Sequence, residues 1–468
     1  MSIAADGPFG ADVCPARPTP PNATPNLITM LLKPGGLSNL IASFPAFWYK
    51  ARHCEFQVGF TRNGRGVLVN DPEAIKRVLV SEAEHFPKEE NQLAVLKPLL
   101  GNGLLTADGK VWRRNRKLAA PVFQHSSIKD FAPLFTRAAE RSVSLSLQSE
   151  GPVSIDREMT RLTLQIIGEA VLDADLDDGT ENISDAVTRT LDKFPMIFLA
   201  TAFLPGQVRD RVVERIVSPT RRQLDPYARR IVAQADRQGG ETSLIARLMG
   251  AAKRDDGEGL SAAQVRDEVA TFLLAGHETT ATTLSWAWYL LTLHPEWQER
   301  LHDEVRDVAG DRPLTAADVP SLVLTRAVID ETLRLYPVVA NLMRRSDREV
   351  QLLDDLTIPA GTTVLISPWL MHRHERYWRD PHRFDPMRFL GEEAAARPRH
   401  CYLPFGGGPR ICIGAGFAIM EAVLILATYM QKARVRVLNA DRVMPQARIV
   451  LRPNTSLEAL VTPRLSAG

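Results

Sequence analysis

The sequence predicts a mainly helical protein with a few small β-sheets, folded as one large domain. One helical pattern continues for about thirty residues after Ser261, which gives a rod of about 45 to 50 Å. Helical patterns also fill most of residues 126–248, and strand signals elsewhere are short. No repeat or linker divides the ordered region. These observations favour a single domain, although a length of 468 residues alone would favour two or three.

The composition excludes several classes of protein. The chain has 57 basic and 55 acidic side chains and a net charge of +2, so charge gives no reason to expect a nucleic acid or an anionic membrane as partner. Four cysteines are too few for a disulfide framework. The apolar runs fall short of the roughly 20 residues that span a bilayer, and the N-terminus lacks a signal-peptide pattern. We predict a cytoplasmic monomer without a membrane span.

The N-terminal part is predicted to be a flexible leader, followed by a hairpin and a helix. Residues 1–26 are rich in Pro, Ala and Gly, which predicts a flexible leader before a folded domain at 27–468. Alternating apolar residues at 56–60 and 67–69, with Asn63-Gly64 between them, predict a hairpin. Asp71 and Pro72 then predict the cap and the first residue of a helix.

The long helix has clear ends. Ser261 and Gln264 form a capping-box pattern, and His294-Pro295 ends the helix and starts another that stops at Gly310. A further helix is predicted over 321–336. Residues 356–358 and 363–366 flank a Pro-Ala-Gly turn and predict a second hairpin, and 435–438 and 449–451 predict later strands.

The most informative stretch is the glycine-rich loop of residues 405–414, with the sequence F-G-G-G-P-R-I-C-I-G. A loop of this composition costs conformational entropy unless it has to take an unusual shape. A helical pattern follows, so Cys412 is predicted at a helix N-terminus, where the dipole and nearby Arg410 lower the pKa of a thiol. Taken alone, the loop could also hold a buried structural cysteine.

This loop resembles the heme-binding loop Phe-x-x-Gly-x-Arg-x-Cys-x-Gly of the cytochrome P450 superfamily. Phe405, Gly408, Arg410, Cys412 and Gly414 occupy its fixed positions. The resemblance extends over about residues 40–460 and is closest to soluble bacterial members. It implies the cytochrome P450 fold around a buried heme b, with Cys412 as the iron ligand and Phe405 against the cofactor.

A Glu-x-x-Arg pattern lies 78 residues before the cysteine. Glu331 and Arg334 are three apart and share a helix face, a spacing that by itself is typical of solvated pairs. The resemblance implies that a third residue, Arg388 in the segment F-D-P-M-R-F, joins them. It implies a structural role for all three, because a buried Glu between two Arg residues stays charged only in such a group.

The middle of the long helix reads A-G-H-E-T-T over residues 275–280. Gly and Thr weaken a helix interior, and a plain interpretation is a Thr hydroxyl bonded to the preceding turn beside a solvated Glu. The resemblance implies instead an oxygen-activation site. In it Ala275 borders the heme, Gly276 widens the helix to admit dioxygen, and Glu278 and Thr279 are catalytic residues that relay protons.

Further residues are assigned through the same resemblance. Trp112 and Arg116 lie one helical turn apart and would bind a heme propionate, an anion suited to an indole N–H and a guanidinium. Arg410 and Arg344 would do the same, although Arg345 leaves the register of the latter open. Leu104 would line the heme. The predicted substrate pocket comprises Leu105, Val338, Val339 and Leu342.

The resemblance implies a monooxygenase that uses O₂ to hydroxylate or epoxidise a small apolar substrate. Fatty acids, terpenoids and polyketides all remain open as substrates. Because no flavin or iron–sulfur motif is present, electrons would come from a ferredoxin or flavodoxin with an NAD(P)H-dependent reductase. Arg113, Arg114 and Lys117 would form part of a basic docking face for an acidic partner, or would be no more than a solvated face. The alternative function is a heme-thiolate sensor or ligand-binding protein without turnover.

Other metal sites find less support. His277-Glu278 lacks the second histidine of a zinc-protease helix, because residue 281 is Ala. His372, His374 and His382 lie close in sequence and could serve a metal hydrolase, but no cysteine or acid completes the spacing of a zinc site.

Overall fold

The computed structural model describes residues 46–57, 64–172, 204–238, 261–447 and 449–464, together with residues 193, 197, 200 and 245. The predicted leader and Asn63 of the hairpin turn lie outside the described residues. The described helices are, in chain order, α1 (Pro72–Lys76), α2 (Glu90–Leu100), α3 (Gly109–Ala119), α4 (His125–Lys129), α5 (Ala132–Leu147), α6 (Ile155–Ile167), α7 (Gly206–Gln238), α8 (Ala262–Leu293), α9 (Pro295–Ala309), α10 (Val323–Leu335), α11 (Pro368–Met371), α12 (Gly391–Ala396) and α13 (Ala415–Lys432).

The strands are short and form four small sheets in the described part of the chain. They are β1 (His53–Gln57), β2 (Arg65–Val69), β3 (Val153–Ser154), β4 (Leu342–Arg345), β5 (Val350–Leu353), β6 (Leu356–Ile358), β7 (Thr363–Ile366), β8 (Ala433–Val437), β9 (Pro445–Ala447), β10 (Leu451–Pro453) and β11 (Glu458–Pro463). The strand orders are β1-β2-β7-β4, β10-β9, β3-β11-β8 and β5-β6. The prediction of a mainly helical fold with small sheets is confirmed.

Several local predictions are confirmed as well. β1 and β2 pair antiparallel, with His53 opposite Val69. The Asp71 carboxylate accepts the backbone N–H groups of Glu73 and Ala74 and so caps α1. The helical stretch after residue 125 is interrupted by β3, a two-residue strand that the pattern did not predict.

The predicted hairpin of residues 356–358 with 363–366 is wrong. β6 pairs with β5, whereas β7 lies between β2, to which it is parallel, and β4, to which it is antiparallel. All four residues of β7 are buried, as is typical of a central strand that needs partners on both edges. Gly361, at φ 78°, allows the turn that takes the chain from one sheet to the other.

The long helix α8 is the centre of the core. Its capping box is formed as predicted, with the Ser261 hydroxyl accepting the Gln264 N–H and the Gln264 side chain accepting the Ser261 N–H. Trp286 is fully buried and stacks on Tyr336 with ring centroids 3.9 Å apart, and its indole N–H donates to the Leu451 carbonyl at 2.8 Å. α8 therefore joins α6, the end of α10 and β10 in one core.

Among the described helices, none combines the length and the apolar character that a membrane crossing requires.

Replacing Ser261 by Ala is expected to lower the free energy of unfolding by about 1 kcal/mol, because the cap of the central helix is lost. Chemical unfolding followed by circular dichroism measures this change. Ser261→Asp keeps an acceptor at the cap and should retain most of the stability. Equal loss in both variants would show that the hydrogen-bond acceptor at this position does not account for the stability.

Candidate functional site

The glycine-rich loop has the unusual backbone that its composition predicts. Gly406 and Gly408 have φ of 73° and 65°, and a Cβ on Gly408 would lie 1.7 Å from the Leu79 carbonyl oxygen. The Cys412 N–H donates to the Phe405 carbonyl at 3.0 Å, which closes the loop, and α13 begins three residues after Cys412. The loop therefore presents the cysteine just before the helix N-terminus.

Cys412 lies in a recess. Its side chain is exposed, and yet protein atoms surround it closely enough for burial to raise the pKa of the thiol. The Gly414 N–H and the charge of Arg116 oppose that rise without reversing it. The predicted lowering of this pKa is thus wrong for the protein chain alone. A bound metal ion at the sulfur would favour the thiolate.

Three predicted arginines meet beside this loop. Arg116 on α3 donates to the Ile411 carbonyl at 2.7 Å. Arg410 lies over the ring of Trp112 at 4.1 Å, donates to the Ala107 carbonyl at 3.0 Å and pairs with Asp108. Arg344 lies on β4 near Arg410, and burial together with that neighbour lowers its pKa to about 10.

The surroundings of Arg344 and Arg345 show which of the two can bind an anion beside the cysteine loop. Arg345 is exposed and lies 3.6 Å from the Glu89 carboxylate, on the other face of β4. Arg344 faces the other cations and Asp108. Arg344 is therefore the candidate for an anion ligand, as predicted.

Lys88 is a fourth cation, and no motif in the sequence points to it. Its ammonium group donates to the Leu105 carbonyl. Burial, Arg410 and Arg344 together lower the pKa of Lys88 to about 7. It precedes α2 in a stretch without a distinctive pattern, so only the folded chain shows that it joins the cluster.

This cation cluster, formed by Lys88, Arg116, Arg344 and Arg410, has too few acids to balance it. Asp108 is the carboxylate that acts on it within the described ranges. Half-buried cations without counter-charges are costly, so the arrangement fits a ligand with two negative groups. The two propionates of heme, next to a cysteine able to bind its iron, satisfy that requirement.

The A-G-H-E-T-T segment lies in α8 with its side chains engaged. A Cβ on Gly276 would lie 2.5 Å from Ile167, so this glycine allows α6 to pack closely against α8. The Thr279 hydroxyl donates to the Ala275 carbonyl at 2.7 Å, the bond to the preceding turn that the plain interpretation expected. His277 is buried, and burial lowers its pKa to about 4.

Glu278 is not solvated. Only 8% of it is exposed, and its carboxylate pairs with Arg452 on β10. Arg452 lies 174 residues away in sequence, so no local sequence spacing predicts this pair. The plain interpretation is therefore wrong for Glu278, which pairs with a half-buried arginine.

A second buried acid lies beside the same segment. Glu421 on α13 is fully enclosed, and burial raises its pKa to about 8, against the effect of its hydrogen bond with Thr280. The sequence offered only an acid in an apolar helical pattern, without an indication of what it faces.

The structure joins Glu331, Arg334 and Arg388 as the resemblance implied. Both carboxylate oxygens of Glu331 accept from Arg334, at 2.6 and 2.8 Å, and one also accepts from Arg388 at 3.1 Å. Arg334 further donates to the carbonyls of His372 and Arg383. The group thus fastens α10 to the irregular chain before the cysteine loop.

The predicted pocket residues do not share one environment. Leu104 and Val338 are buried in the core, and the Val338 carbonyl accepts the Leu451 N–H. Leu105 is 39% exposed. Val339, Leu342 and Ala275 are half-buried, and Phe405 is also half-buried on the cysteine loop.

The histidine cluster does not form a metal site. Both ring nitrogens of His372 are hydrogen-bonded, Nδ1 with the Arg334 carbonyl and Nε2 with the Leu403 N–H. Across the described ranges no three His, Cys, Asp or Glu side chains are placed to hold a metal ion.

Comparisons with known proteins agree with this geometry. The family model described as Cytochrome P450 matches residues 37–460. Cyclooctatin synthase of Streptomyces melanosporofaciens is 34% identical over 393 residues, 81% of this chain and 83% of that protein. Cyclooctat-9-en-7-ol 5-monooxygenase of the same organism is 32% identical over 386 residues, 80% of each. The chain therefore belongs to the cytochrome P450 family, which implies a heme cofactor.

The fold has a counterpart among solved structures. The crystal structure of the cytochrome P450DA heme domain superposes with a TM-score of 0.78 at 23% identity, over 88% of this chain and 90% of that chain.

Replacing Glu331 by Gln should lower the free energy of unfolding by about 3 to 5 kcal/mol, because two buried guanidinium groups lose their carboxylate. Thermal or chemical unfolding measures the loss. Glu393→Gln is the matched control, since Glu393 also lies near Arg388 but is 43% exposed, and its removal should cost less than about 1 kcal/mol. Equal losses would contradict the structural role.

Proposed function

We propose that the chain is a heme-thiolate monooxygenase that binds heme b through Cys412. One observation carries the proposal: two adjacent residues of α3 contact the cysteine loop and the helix α8. Arg116 donates to the cysteine loop at Ile411, and Asn115 donates to Glu268 on α8 at 2.6 Å. This helix thus fixes the ligand loop relative to the helix that bears Glu278 and Thr279.

Heme bound through a cysteine thiolate supplies the chemistry of dioxygen cleavage. The overall reaction consumes a substrate C–H bond, O₂, two electrons and two protons, and yields a C–OH bond and water. The cation cluster would hold the propionates, with Trp112 beneath Arg410, and Phe405, Leu104 and Ala275 would border the cofactor.

Glu278 and Thr279 would deliver the two protons. In the structure both are engaged, Glu278 by Arg452 and Thr279 by the Ala275 carbonyl. To carry protons, the carboxylate has to leave Arg452 and the hydroxyl has to turn away from the helix. Arg452 thereby decides how readily the acid is released. The same engagement is the observation that favours the alternative function, a sensor or ligand-binding protein.

The substrate is proposed to be a small apolar compound. The half-buried Val339, Leu342 and Ala275, together with the exposed Leu105, offer apolar surface. A relative is named as a monooxygenase of cyclooctat-9-en-7-ol, which agrees with a lipophilic substrate. We further propose that residues 27–468 form one domain and that the protein is a cytoplasmic monomer.

Electrons are proposed to come from a ferredoxin or flavodoxin served by an NAD(P)H-dependent reductase. Arg113 and Lys117 are exposed on α3, the helix that contacts the cysteine loop. Arg114 is half-buried, and its Nε donates to Asn115 at 3.2 Å, so it contributes less to a docking face than the sequence suggested. An acidic partner suits this surface.

The test supplies a surrogate reductase, ¹⁸O₂ and a panel of lipophilic compounds, and measures label in the product by mass spectrometry. One labelled oxygen atom per product supports monooxygenation, and substrate binding without any labelled product supports the alternative. Thr279→Ala should lower product per electron pair at least about tenfold and release peroxide instead.

Thr283→Ala is the matched control, because its hydroxyl makes the same bond one turn later, to the Thr279 carbonyl at 3.0 Å. This variant should keep the coupling of the natural chain. A Thr279→Ala variant that stays coupled would refute the relay.

Reversing charge with Arg113→Glu and Lys117→Glu should slow reduction by an acidic ferredoxin about tenfold at low ionic strength, and the difference should shrink as salt screens it. Stopped-flow absorbance measures the rate. Arg222→Glu, an exposed change on α7, is the control. An unchanged rate in the α3 variant at low salt would rule out this docking face.

A further inference from the structure

The loop of residues 101–106, between α2 and α3, lies flat on α8. A Cβ on Gly101, whose φ is 62°, would lie 2.2 Å from the Asp267 carboxylate. A Cβ on Gly103 would lie 2.3 Å from the Thr271 hydroxyl. Both glycines are therefore required for this close approach, which places the backbone N–H groups of the loop against the side chains of α8.

Two consecutive acids of α8 accept from this loop. The Asn102 N–H donates to Asp267 at 2.7 Å, and the Leu104 N–H donates to Glu268 at 3.0 Å. The second oxygen of Glu268 accepts from the Asn115 amide at 2.6 Å. Glu268 is 1% exposed and therefore joins the loop, α3 and α8 at a single carboxylate.

Burying the Glu268 carboxylate costs more free energy than a purely structural contact requires. Burial raises its pKa to about 7, Asp267 raises it further, and Arg114 and the two donors lower it. Arg266 pairs with Asp267 and so partly balances that neighbouring charge. A neutral residue would avoid the cost of burying a charge, but glutamine cannot accept two hydrogen bonds with its two terminal atoms.

The other side of the loop faces the cation cluster. Lys88 donates to the Leu105 carbonyl, and Arg410 donates to the carbonyl of Ala107, just beyond the loop. The loop thus carries Leu104 and Leu105 between the acids of α8 and the cations beside the cysteine. A movement at Glu268 would shift the loop that carries Leu104 and Leu105, and with it the carbonyl that Lys88 binds.

We propose that Glu268 is a positioning residue that sets the place of the loop 101–106 through Leu104 and Asn115, and thereby sets the affinity for bulky apolar ligands. The inference rests on the proposed function only for the presence of heme and does not require oxygenation.

The experiment titrates the heme-loaded protein with 4-phenylimidazole and with imidazole, and follows the Soret band. Glu268→Gln should weaken 4-phenylimidazole binding at pH 8 at least about fivefold, because one of two accepted hydrogen bonds is lost. Imidazole, which lacks the apolar phenyl ring, should bind within about twofold of the natural chain. Asn115→Ala should weaken 4-phenylimidazole binding too, and the two changes should not add.

The pH dependence separates positioning from stability. Because the pKa of Glu268 is raised from 4.5 to about 7, its contribution to stability falls as pH rises through that interval. Protonation of the azole itself also lowers its affinity near this pH, and imidazole serves as the reference for that effect. Beyond it, affinity for 4-phenylimidazole should rise as the Glu268 carboxylate forms around pH 7. Glu268→Gln should remove this additional rise and leave only the dependence that imidazole shows.

Glu304→Gln is the matched control. Glu304 also accepts two backbone N–H groups, those of Leu324 and Thr325, at the start of α10 away from the loop. The Glu304→Gln variant should leave the affinities for 4-phenylimidazole and imidazole unchanged. The proposal is overturned if Glu268→Gln binds 4-phenylimidazole as the natural chain does, or if it only lowers the unfolding midpoint. A weaker affinity for 4-phenylimidazole in Glu268→Gln, together with no ¹⁸O incorporation in the oxygenation test, would refute the proposed monooxygenase activity. The inference about Glu268 would stand.

Discussion

The excess of half-buried positive charge beside Cys412 is the constraint on which the rest of the site depends. Lys88, Arg344 and Arg410 come from three distant segments. Burial, and after it repulsion from the neighbouring cations, lowers the pKa of Lys88 and of Arg344. Only Asp108 balances them among the described residues. An arrangement of this kind is stable when an anionic group completes it, so the chain is organised around a ligand that it does not itself provide.

The surrounding structure holds that charge in place from two directions. The buried group of Glu331, Arg334 and Arg388 fastens the chain that leads into the cysteine loop. On the opposite side, the acids of α8 hold the loop that precedes α3. The central helix therefore serves both as core and as one wall of the site, which explains why its pattern is interrupted by polar residues at 275–280.

Features set by local chemistry could be predicted from the sequence, and features set by tertiary contact could not. The Ser261 capping box, the stops before prolines and the glycine-rich turn before Cys412 depend on neighbouring residues. The partners of β7, the Arg452 partner of Glu278 and the place of Lys88 depend on segments far away in sequence. The pKa of the Cys412 thiol also belongs to the second kind, because the sequence shows the helix N-terminus but not the burial that raises this pKa.

The rate of heme release tests the central claim most directly. Arg344→Met and Arg345→Met remove neighbouring guanidinium groups from β4, one facing the cation cluster and one facing Glu89. Transfer of heme to an excess of a heme-scavenging protein, followed by absorbance, gives the rate. We expect release at least about tenfold faster for Arg344→Met, because a charged hydrogen bond to the ligand is lost, and no change for Arg345→Met. Equal rates in the two variants would contradict the account.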